Sequence, residues 1–320
     1  GAWVDRVGGL GPGFGGREVR GLGLGGLLDC VTRPCESGSV RWLDGGTQLR
    51  LVESPLDIAQ AVQGKLLAPA DAAGVAKSWI FTSATLGDEA GLRWFTEPCG
   101  LQQAQVLRVQ SPFDYATQAA VYVPRNLPKP SDPSHSEQVA ALVARLAPVI
   151  GGRTLVLTTS LRALRSISES LQQGLSKTGA LEVLAQGQSP KRELMERFRR
   201  SVEPGQPGCI LVASASFWEG IDIPGDALQL VVIDKLPFPT PGDPLVQARA
   251  TRLEQSGRSA FNDYFIPEAA VAHKQGAGRL IRRGTDRGVR VSCDTRLGSM
   301  GAGGRVVAAG GPVGGFTEAE

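Results

Sequence analysis

The chain has 320 residues, of which 42% are hydrophobic and 20% charged, so it is long enough for two modest domains and unsuited to disorder over most of its length. Its formal net charge of +3 permits a polyanionic partner without requiring one. The five cysteines are odd in number and mostly scattered, which argues against a disulfide scaffold and fits a reducing cytoplasm.

The sequence also argues against membrane insertion and secretion. No stretch approaches the roughly 20 apolar residues that a membrane span needs. The glycine-rich residues 1–26 lack an initiator methionine and the charged-then-apolar order of a secretory signal. We therefore expect a cytoplasmic protein without a membrane partner, whose sequence is incomplete at its front. Cys30 and Cys35 have no second pair or histidine nearby, so unrelated thiols are expected there rather than a metal site.

In chain order, residues 1–40 are rich in glycine and predict loops or poorly specified helix. Residues 49–67 predict a strand that becomes helical after Pro55. Residues 78–87, with the sequence SWIFTSATLG, predict a buried strand that ends in a polar loop. Such loops are where open α/β sheets bind their ligands.

Further along, predicted strands alternate with predicted helices of 10–15 residues. The strands are expected within residues 118–135, 153–160, 181–187, 208–225, 228–238 and 288–296. The helices are expected at residues 136–151 (capped by Ser136 and closed by Gly151), 161–175, 190–201, 244–256 and 267–283. This alternation predicts one doubly wound α/β domain with a parallel sheet over about residues 105–300.

A basic cluster lies in the segment HKQGAGRLIRRGTDRG, residues 273–288. Its basic residues are Lys274, Arg279, Arg282, Arg283 and Arg287. Arg279 and Arg282 are three apart, so on a helix they would project from one face. Adjacent guanidinium groups repel unless an anion lies between them, and a phosphate matches their planar fork. A solvated basic turn is the alternative that the cluster alone leaves open.

Four segments with polar or basic residues lie at predicted junctions between strands, loops and helices. They are TSATL (82–86), LVLTTS (155–160), ASASFWEGIDIPG (213–225) and QGAGRLIRR (275–283). In this order they resemble motifs III, IV, V and VI of the superfamily 2 helicases of the DinG/XPD group. The segments between them resemble the same group at residues 111–128, 231–245 and 286–297. The resemblance covers about residues 42–300.

The resemblance implies an ATP-dependent DNA helicase of which this chain holds the second motor lobe. It assigns residues 1–104 to a remnant of helicase domain 1 and its insert, ending in motif III. It assigns residues 105–300 to a RecA-like helicase C-terminal domain, and the glycine-rich residues 301–320 to a frayed tail. Single-stranded DNA and the missing N-terminal helicase lobe are the implied partners.

The resemblance also implies roles for individual residues. A catalytic role, as arginine fingers and their glutamine partner at the γ-phosphate of ATP, is implied for Gln275, Arg279 and Arg282. Nucleotide binding is implied for Glu219, Gly220 and Asp222. Coupling and nucleic-acid contact are implied for Ser83, Ala84, Thr85, Thr159, Ser160 and Trp218. From the residues alone, a hydroxyl-ended core strand at 82–86 and a core position for Trp218 remain open.

The other half of an ATP site is not recognisable in the sequence. The Gly64-Lys65 pair lacks the glycine that a phosphate-cradling loop needs five residues earlier, and Leu66 stands where Ser or Thr is required. The acidic residues at 88–90 follow motif III, whereas the metal-holding box of the family precedes it. ATP and Mg²⁺ are thus expected to need the missing first lobe, and the chain alone is predicted to be inactive. No metal ligands are assigned here, and an iron–sulfur cluster is implied for the parent family only.

Two other functions remain open on the residues. A non-catalytic module that binds single-stranded nucleic acid would use the basic run at 274–287. A Rossmann-type small-molecule enzyme would share the sheet pattern, but the glycines of GLGLGG (21–26) follow no convincing strand.

Overall fold

The computed structural model describes residues 35, 38–45, 48–67, 77–83, 85–87, 90–175, 179, 181–214, 217, 223, 225–299 and 316–317. The chain divides into two compact units, one of residues 1–106 with 239–264 and the other of residues 107–238 with 265–320. The predicted boundaries at residues 104 and 300 stay predictions. No helix within the described part of the chain has the length and apolar character needed to cross a membrane.

The elements of regular structure are these. The strands are β1 (Ser39–Gly45), β2 (Leu49–Pro55), β3 (Ala119–Tyr122), β4 (Thr154–Thr158), β5 (Leu181–Ala185), β6 (Gly208–Ser214), β7 (Leu230–Ile233), β8 (Gly288–Ser292) and β9 (Phe316–Thr317). The α-helices are α1 (Ala59–Ala61), α2 (Arg93–Thr96), α3 (Tyr115–Gln118), α4 (His135–Leu146), α5 (Leu161–Leu175), α6 (Lys191–Arg200), α7 (Pro244–Gln255), α8 (Ile266–Ala277) and α9 (Arg296–Ser299). Short 3₁₀ turns are Ala147–Ile150 and Gly225–Ala227, and π-helical turns are Val62–Leu67 and Phe261–Phe265.

The larger unit contains a parallel sheet, which confirms the predicted doubly wound α/β fold. Among the described residues its strand order is β5-β6-β4-β7-β8-β3-β9. In the sheet, β5 and β6 lie on one side of β4, and β8 lies on the opposite side of β7. The strand order therefore reverses between the neighbouring strands β4 and β7. In open α/β sheets, ligands bind outside the carboxyl ends of the strands at this point.

Both faces of the sheet are covered, as an all-parallel sheet requires. Along β4, Leu155 and Leu157 pack on one face with Phe198 of α6, while Val156 packs on the other with the buried faces of α4 and α5. Every residue of β4 is buried, which explains why its sequence TLVLT shows no polar alternation.

Two predicted boundaries need correction. Helix α4 begins at His135, and Ser136 is not its cap: Asp132 Oδ1 accepts hydrogen bonds from the amide and hydroxyl of Ser134 and starts the helix earlier. The helix predicted at 267–283 ends at Ala277, because the chain turns at Gly278 and does not resume a helical course. Gly151 closes the turn after α4 in a left-handed conformation, as predicted.

The buried strand predicted at 78–87 is wrong. Residues 77–83 have no regular secondary structure, and their side chains are exposed, with Ile80 at 85%. A buried strand needs hydrogen-bonded neighbours and two covering layers, and no described strand pairs with this segment. The apolar run therefore has the composition of a strand, but no described strand lies beside it to form a sheet.

The smaller unit includes a hairpin that the sequence did not reveal, β1 paired antiparallel with β2. Arg41 and Glu53 face each other across it, with a 2.8 Å ion pair. Helix α7 of the same unit is capped by Asp243, whose carboxylate accepts the amides of Leu245 and Val246 at 2.8 and 3.1 Å.

One close backbone contact in the larger unit explains why residue 208 is a glycine. The start of β6 passes so near the turn after α4 that a Cβ atom on Gly208 would overlap the carbonyl oxygen of Gly151. Beside it, a Cβ atom on Gly152 would lie 2.5 Å from the amide nitrogen of Cys209. Glycine at position 208 therefore lets β6 lie against this turn at the amino end of the sheet.

Candidate functional site

The basic cluster of the sequence forms an irregular loop in the larger unit, between α8 and β8. We call residues 278–287 the arginine loop. Arg279 and Arg282 are half-buried and flank Leu280 and Ile281, which are buried in the core against the sheet. Arg283, like Arg287, is exposed. The two predicted arginine fingers thus lie on either side of two buried residues in a loop and not on one face of a helix.

A buried carboxylate holds the middle of the arginine loop. Asp286 Oδ2 accepts hydrogen bonds from the backbone amides of Arg282 and Arg283, each at 2.8 Å. The amide of Asp286 in turn donates to the carbonyl oxygen of Arg283 at 3.2 Å, which closes a tight turn. Hydrogen bonds to an ionised acceptor are stronger than neutral ones, so this turn is well fixed.

A second side chain, that of Gln118, holds the same turn by donating to its carbonyl oxygens. The side-chain amide nitrogen of Gln118, at the end of α3, lies 3.0 Å from the carbonyl oxygens of Arg283, Gly284 and Asp286. Sequence reasoning missed both Gln118 and Asp286, although both lie in segments that carry the resemblance. Asp286 had a local signal, an Asp beside a turn, where its side chain commonly bonds backbone amides. Gln118 had none.

The carboxyl ends of β4 and β7 are joined by Asp234. Its Oδ1 atom accepts the amide of Thr159 at 3.0 Å, and its carbonyl oxygen lies 3.0 Å from Nε2 of His135. The Oδ2 atom is buried and has no hydrogen-bond partner among the described residues. Burial raises the pKa of Asp234 to about 7, against the opposing effects of Lys235 and of the Thr159 hydrogen bond. Asp234 therefore fixes the predicted contact residue Thr159 where the strand order reverses.

The buried face of α8 carries a polar side chain, that of His273. His273 is fully buried with Nε2 3.3 Å from the hydroxyl of Ser292 on β8. Burial, with a smaller effect from the charge of Arg290, lowers the pKa of His273 to about 3. Burial also lowers the pKa of Arg290 to about 10. Burial alone would raise the pKa of Asp294, but hydrogen bonds from Arg296 and the Leu236 amide keep it below its usual value.

The remaining predicted site residues are distributed as follows. Gln275 is half-buried on α8, in the larger unit with Thr159. The hydroxyl of Ser160 accepts the Ala163 amide at 3.2 Å, so it caps α5. In the smaller unit, Ser83 Oγ accepts the Thr85 amide at 3.1 Å. Five predicted residues lie outside the described part of the chain: Ala84, Trp218, Glu219, Gly220 and Asp222.

Only one cysteine of the early pair lies within the described residues. Cys35 is a half-buried free thiol, and Cys30 lies outside the described residues. Over the described ranges, no group of three or more His, Cys, Asp or Glu side chains is arranged to hold a metal ion.

Comparison with known proteins gives a consistent result. The sequence profile of the helicase C-terminal domain family matches residues 143–308. The ATP-dependent DNA helicase YoaA of Escherichia coli K12 is 44% identical over 220 residues, which are 69% of this chain and 33% of that protein. The ATP-dependent helicase DinG of Mycobacterium tuberculosis H37Rv is 35% identical over 248 residues, which are 76% of this chain and 35% of that protein. The chain thus spans about a third of the length of these relatives.

The fold is shared with a solved helicase. A structure titled XPD helicase superposes with a TM-score of 0.56 at 16% identity, covering 89% of this chain and 48% of that one. The likeness confirms that the parallel sheet is RecA-like.

Proposed function

Because this chain belongs to the helicase C-terminal domain family of DinG/XPD-like superfamily 2 helicases, we propose that it is the second motor lobe of an ATP-dependent DNA helicase. Its proposed task is to supply Arg279 and Arg282, with Gln275, to the γ-phosphate of ATP held by a first lobe. The observation that supports the proposal is the arginine loop, in which Asp286 fixes the turn that carries Arg282.

The chemistry of phosphoryl transfer explains the value of such a loop. Negative charge spreads over the transferring phosphoryl group, and catalysis depends mostly on groups placed to meet that charge. A guanidinium cannot lose its proton at physiological pH and offers a planar fork of donors to phosphate oxygens. Residues 273–288 carry five basic side chains against the single acid Asp286, so the field at the loop is positive.

Exposed apolar segments support the proposal of a first lobe outside this chain. Ile80 is 85% exposed in the smaller unit, and Leu107 and Val109 are 86% and 83% exposed in the larger. Large apolar side chains grouped at a surface mark places where another protein surface packs. We propose that the lobe carrying the phosphate-binding lysine and the Mg²⁺-binding carboxylate covers them, so this chain alone does not hydrolyse ATP.

Single-stranded DNA is the proposed nucleic-acid partner. Thr159 and Ser160 lie at the carboxyl edge of the sheet, and the exposed Arg283 and Arg287 add positive charge. Main-chain amides, hydroxyls and arginines are the groups that contact phosphates in nucleic-acid complexes. The proposed roles of Glu219, Gly220, Asp222 and Trp218 stay predictions, as does the iron–sulfur cluster of the parent family.

The test is ATP hydrolysis by the purified 320-residue chain, with and without single-stranded DNA, beside Arg282→Ala. We expect no turnover from either protein, but binding of DNA that weakens steeply with salt. DNA-stimulated turnover that disappears in Arg282→Ala would show that the chain holds a complete ATP site. Binding that is absent, or insensitive to salt, would remove DNA as the partner.

The second candidate is a non-catalytic module that binds single-stranded nucleic acid, favoured by the exposure of Arg283 and Arg287. The two functions differ in what accompanies the chain. A motor lobe needs a phosphate-binding G-K-[ST] sequence and an acidic box, encoded in the same reading frame ahead of residue 1. An unrelated domain in that position would favour the binding module.

A further inference from the structure

We propose that Asp286 and Gln118 are positioning residues that set the arginine loop for phosphate. This inference rests on the proposed function, since it concerns how the arginines meet the γ-phosphate of ATP. Neither side chain is placed on the phosphate itself. Both act on the backbone that carries Arg282 and Arg283.

The first half of the arginine loop is held by backbone turns and by buried side chains. After α8 ends, two weak turns follow, from the Arg279 amide to Gly276 and from the Leu280 amide to Ala277, each 3.2 Å long. The buried Leu280 and Ile281 fix the first half of the loop to the core. The turn that follows sets the direction in which the chain leaves Ile281, and this direction sets the base of the Arg282 side chain.

Asp286 supplies that constraint. It is 6% exposed, and one oxygen of its carboxylate takes the amides of two consecutive residues at 2.8 Å. Gln118, 7% exposed, presents its side-chain amide to three carbonyl oxygens of the same turn. A carboxylate therefore accepts two donors of the turn, and the two hydrogens of the Gln118 side-chain amide are shared among its carbonyl acceptors. The turn is held from both sides.

The effect of removing Asp286 on phosphate binding distinguishes a positioning role from a purely electrostatic one. A buried carboxylate under a basic cluster reduces its positive potential, so on charge alone its removal strengthens phosphate binding. If Asp286 acts by placing Arg282, its removal weakens phosphate binding. The two roles predict changes of opposite sign in the same measurement.

The experiment is a titration of the 320-residue chain with ATP at millimolar concentration, followed by the ³¹P resonance of the γ-phosphate. Because the first lobe is not part of this chain, the titration measures the attraction of the arginine loop alone for the γ-phosphate. We expect Arg282→Ala and Asp286→Ala each to weaken binding by about tenfold, the worth of one charge-assisted contact. The double variant is expected to bind no more weakly than Arg282→Ala, because the two side chains act as one unit. Glu203→Ala, which removes an exposed negative charge of the same unit, is the matched control and is expected to bind like the wild type.

Two further variants guard against misfolding. Asp286→Asn keeps an acceptor oxygen and is expected to bind within about threefold of the wild type, and Gln118→Ala is expected to weaken binding. Binding by Asp286→Ala that is tighter than the wild type, while Arg282→Ala is weakened, would overturn the positioning role alone. Unchanged binding by Arg282→Ala would overturn the proposed function and this inference together. A γ-phosphate resonance that the wild type leaves unmoved would overturn this inference alone, because the proposed function places ATP on the first lobe.

Discussion

The buried carboxyl group of Asp234 leads to a prediction about pH. The substitution Asp234→Asn keeps the shape of the side chain and an oxygen able to accept the Thr159 amide, but it removes a group that titrates. Wild-type Asp234 is fully buried, and its Oδ2 atom has no hydrogen-bond partner among the described residues. The charge of Lys235 stabilises its ionised form, and the charge of Asp294 opposes it. The substitution therefore tests what ionisation of this group costs.

The magnitude follows from the difference in pKa between the two states. Asp234 ionises near 3.8 when unfolded and near 7 when folded, so between these values the folded state binds more protons. Raising the pH across this window therefore favours unfolding, and the full loss amounts to about 4 kcal/mol. The Asn variant has no such loss. Its free energy of unfolding, minus that of the wild type, is expected to rise by about 4 kcal/mol from pH 4 to pH 8.

The assay is urea unfolding of both proteins at several pH values, followed by circular dichroism. The difference between the variants is the quantity of interest, because every other titrating group contributes to both. Asp226→Asn, which replaces an exposed aspartate on the turn Gly225–Ala227, is the matched control for the loss of one carboxylate. A flat difference for Asp234→Asn, or one that falls with pH, would refute the reasoning.

The other predictions concern stability and are measured by denaturation. His273, whose pKa is about 3 when folded and 6.5 when unfolded, costs stability as the pH falls through 6.5, so His273→Gln is expected to flatten the decline of unfolding free energy between pH 6.5 and 4. Gly208→Ala is expected to lower the free energy of unfolding by more than about 3 kcal/mol, because the new methyl group meets the backbone of Gly151. Gly174→Ala, in open space on α5, is expected to raise it by about 0.5–1 kcal/mol. Asp243→Ala, which removes the cap of α7, is expected to cost about 1 kcal/mol, and no loss would contradict the capping role.

Local patterns were enough to predict the sheet and most of its helices. Helix α5 has the predicted bounds, Leu161–Leu175, because its apolar positions recur with helical spacing and Ser160 caps it. Strand β4 was predicted from a short apolar run between turn residues. Each of these elements is determined by residues next to one another in the chain.

Features that depend on distant partners were not predicted. The basic cluster was visible in the sequence, but its turn depends on Gln118, which lies 165 residues before Arg283. The segment at 78–87 has the composition of a buried strand, yet composition does not state whether a neighbouring strand exists. Ser136 was chosen as a cap because it precedes the apolar run, whereas Asp132 starts the helix through Ser134.

The link between Gln118 and the arginine loop has a consequence for how the protein acquires its shape. Strand β3, which follows Gln118 directly, is the first strand of the sheet in chain order, and its partner β8 lies 169 residues further along. Contacts between such distant residues form slowly, because a long intervening chain must first be closed. During synthesis from the amino end, β3 has to wait until β8 has left the ribosome. The segment proposed to meet phosphate is therefore among the last to become ordered, and a nascent chain that stops before Asp286 lacks the carboxylate that holds its turn.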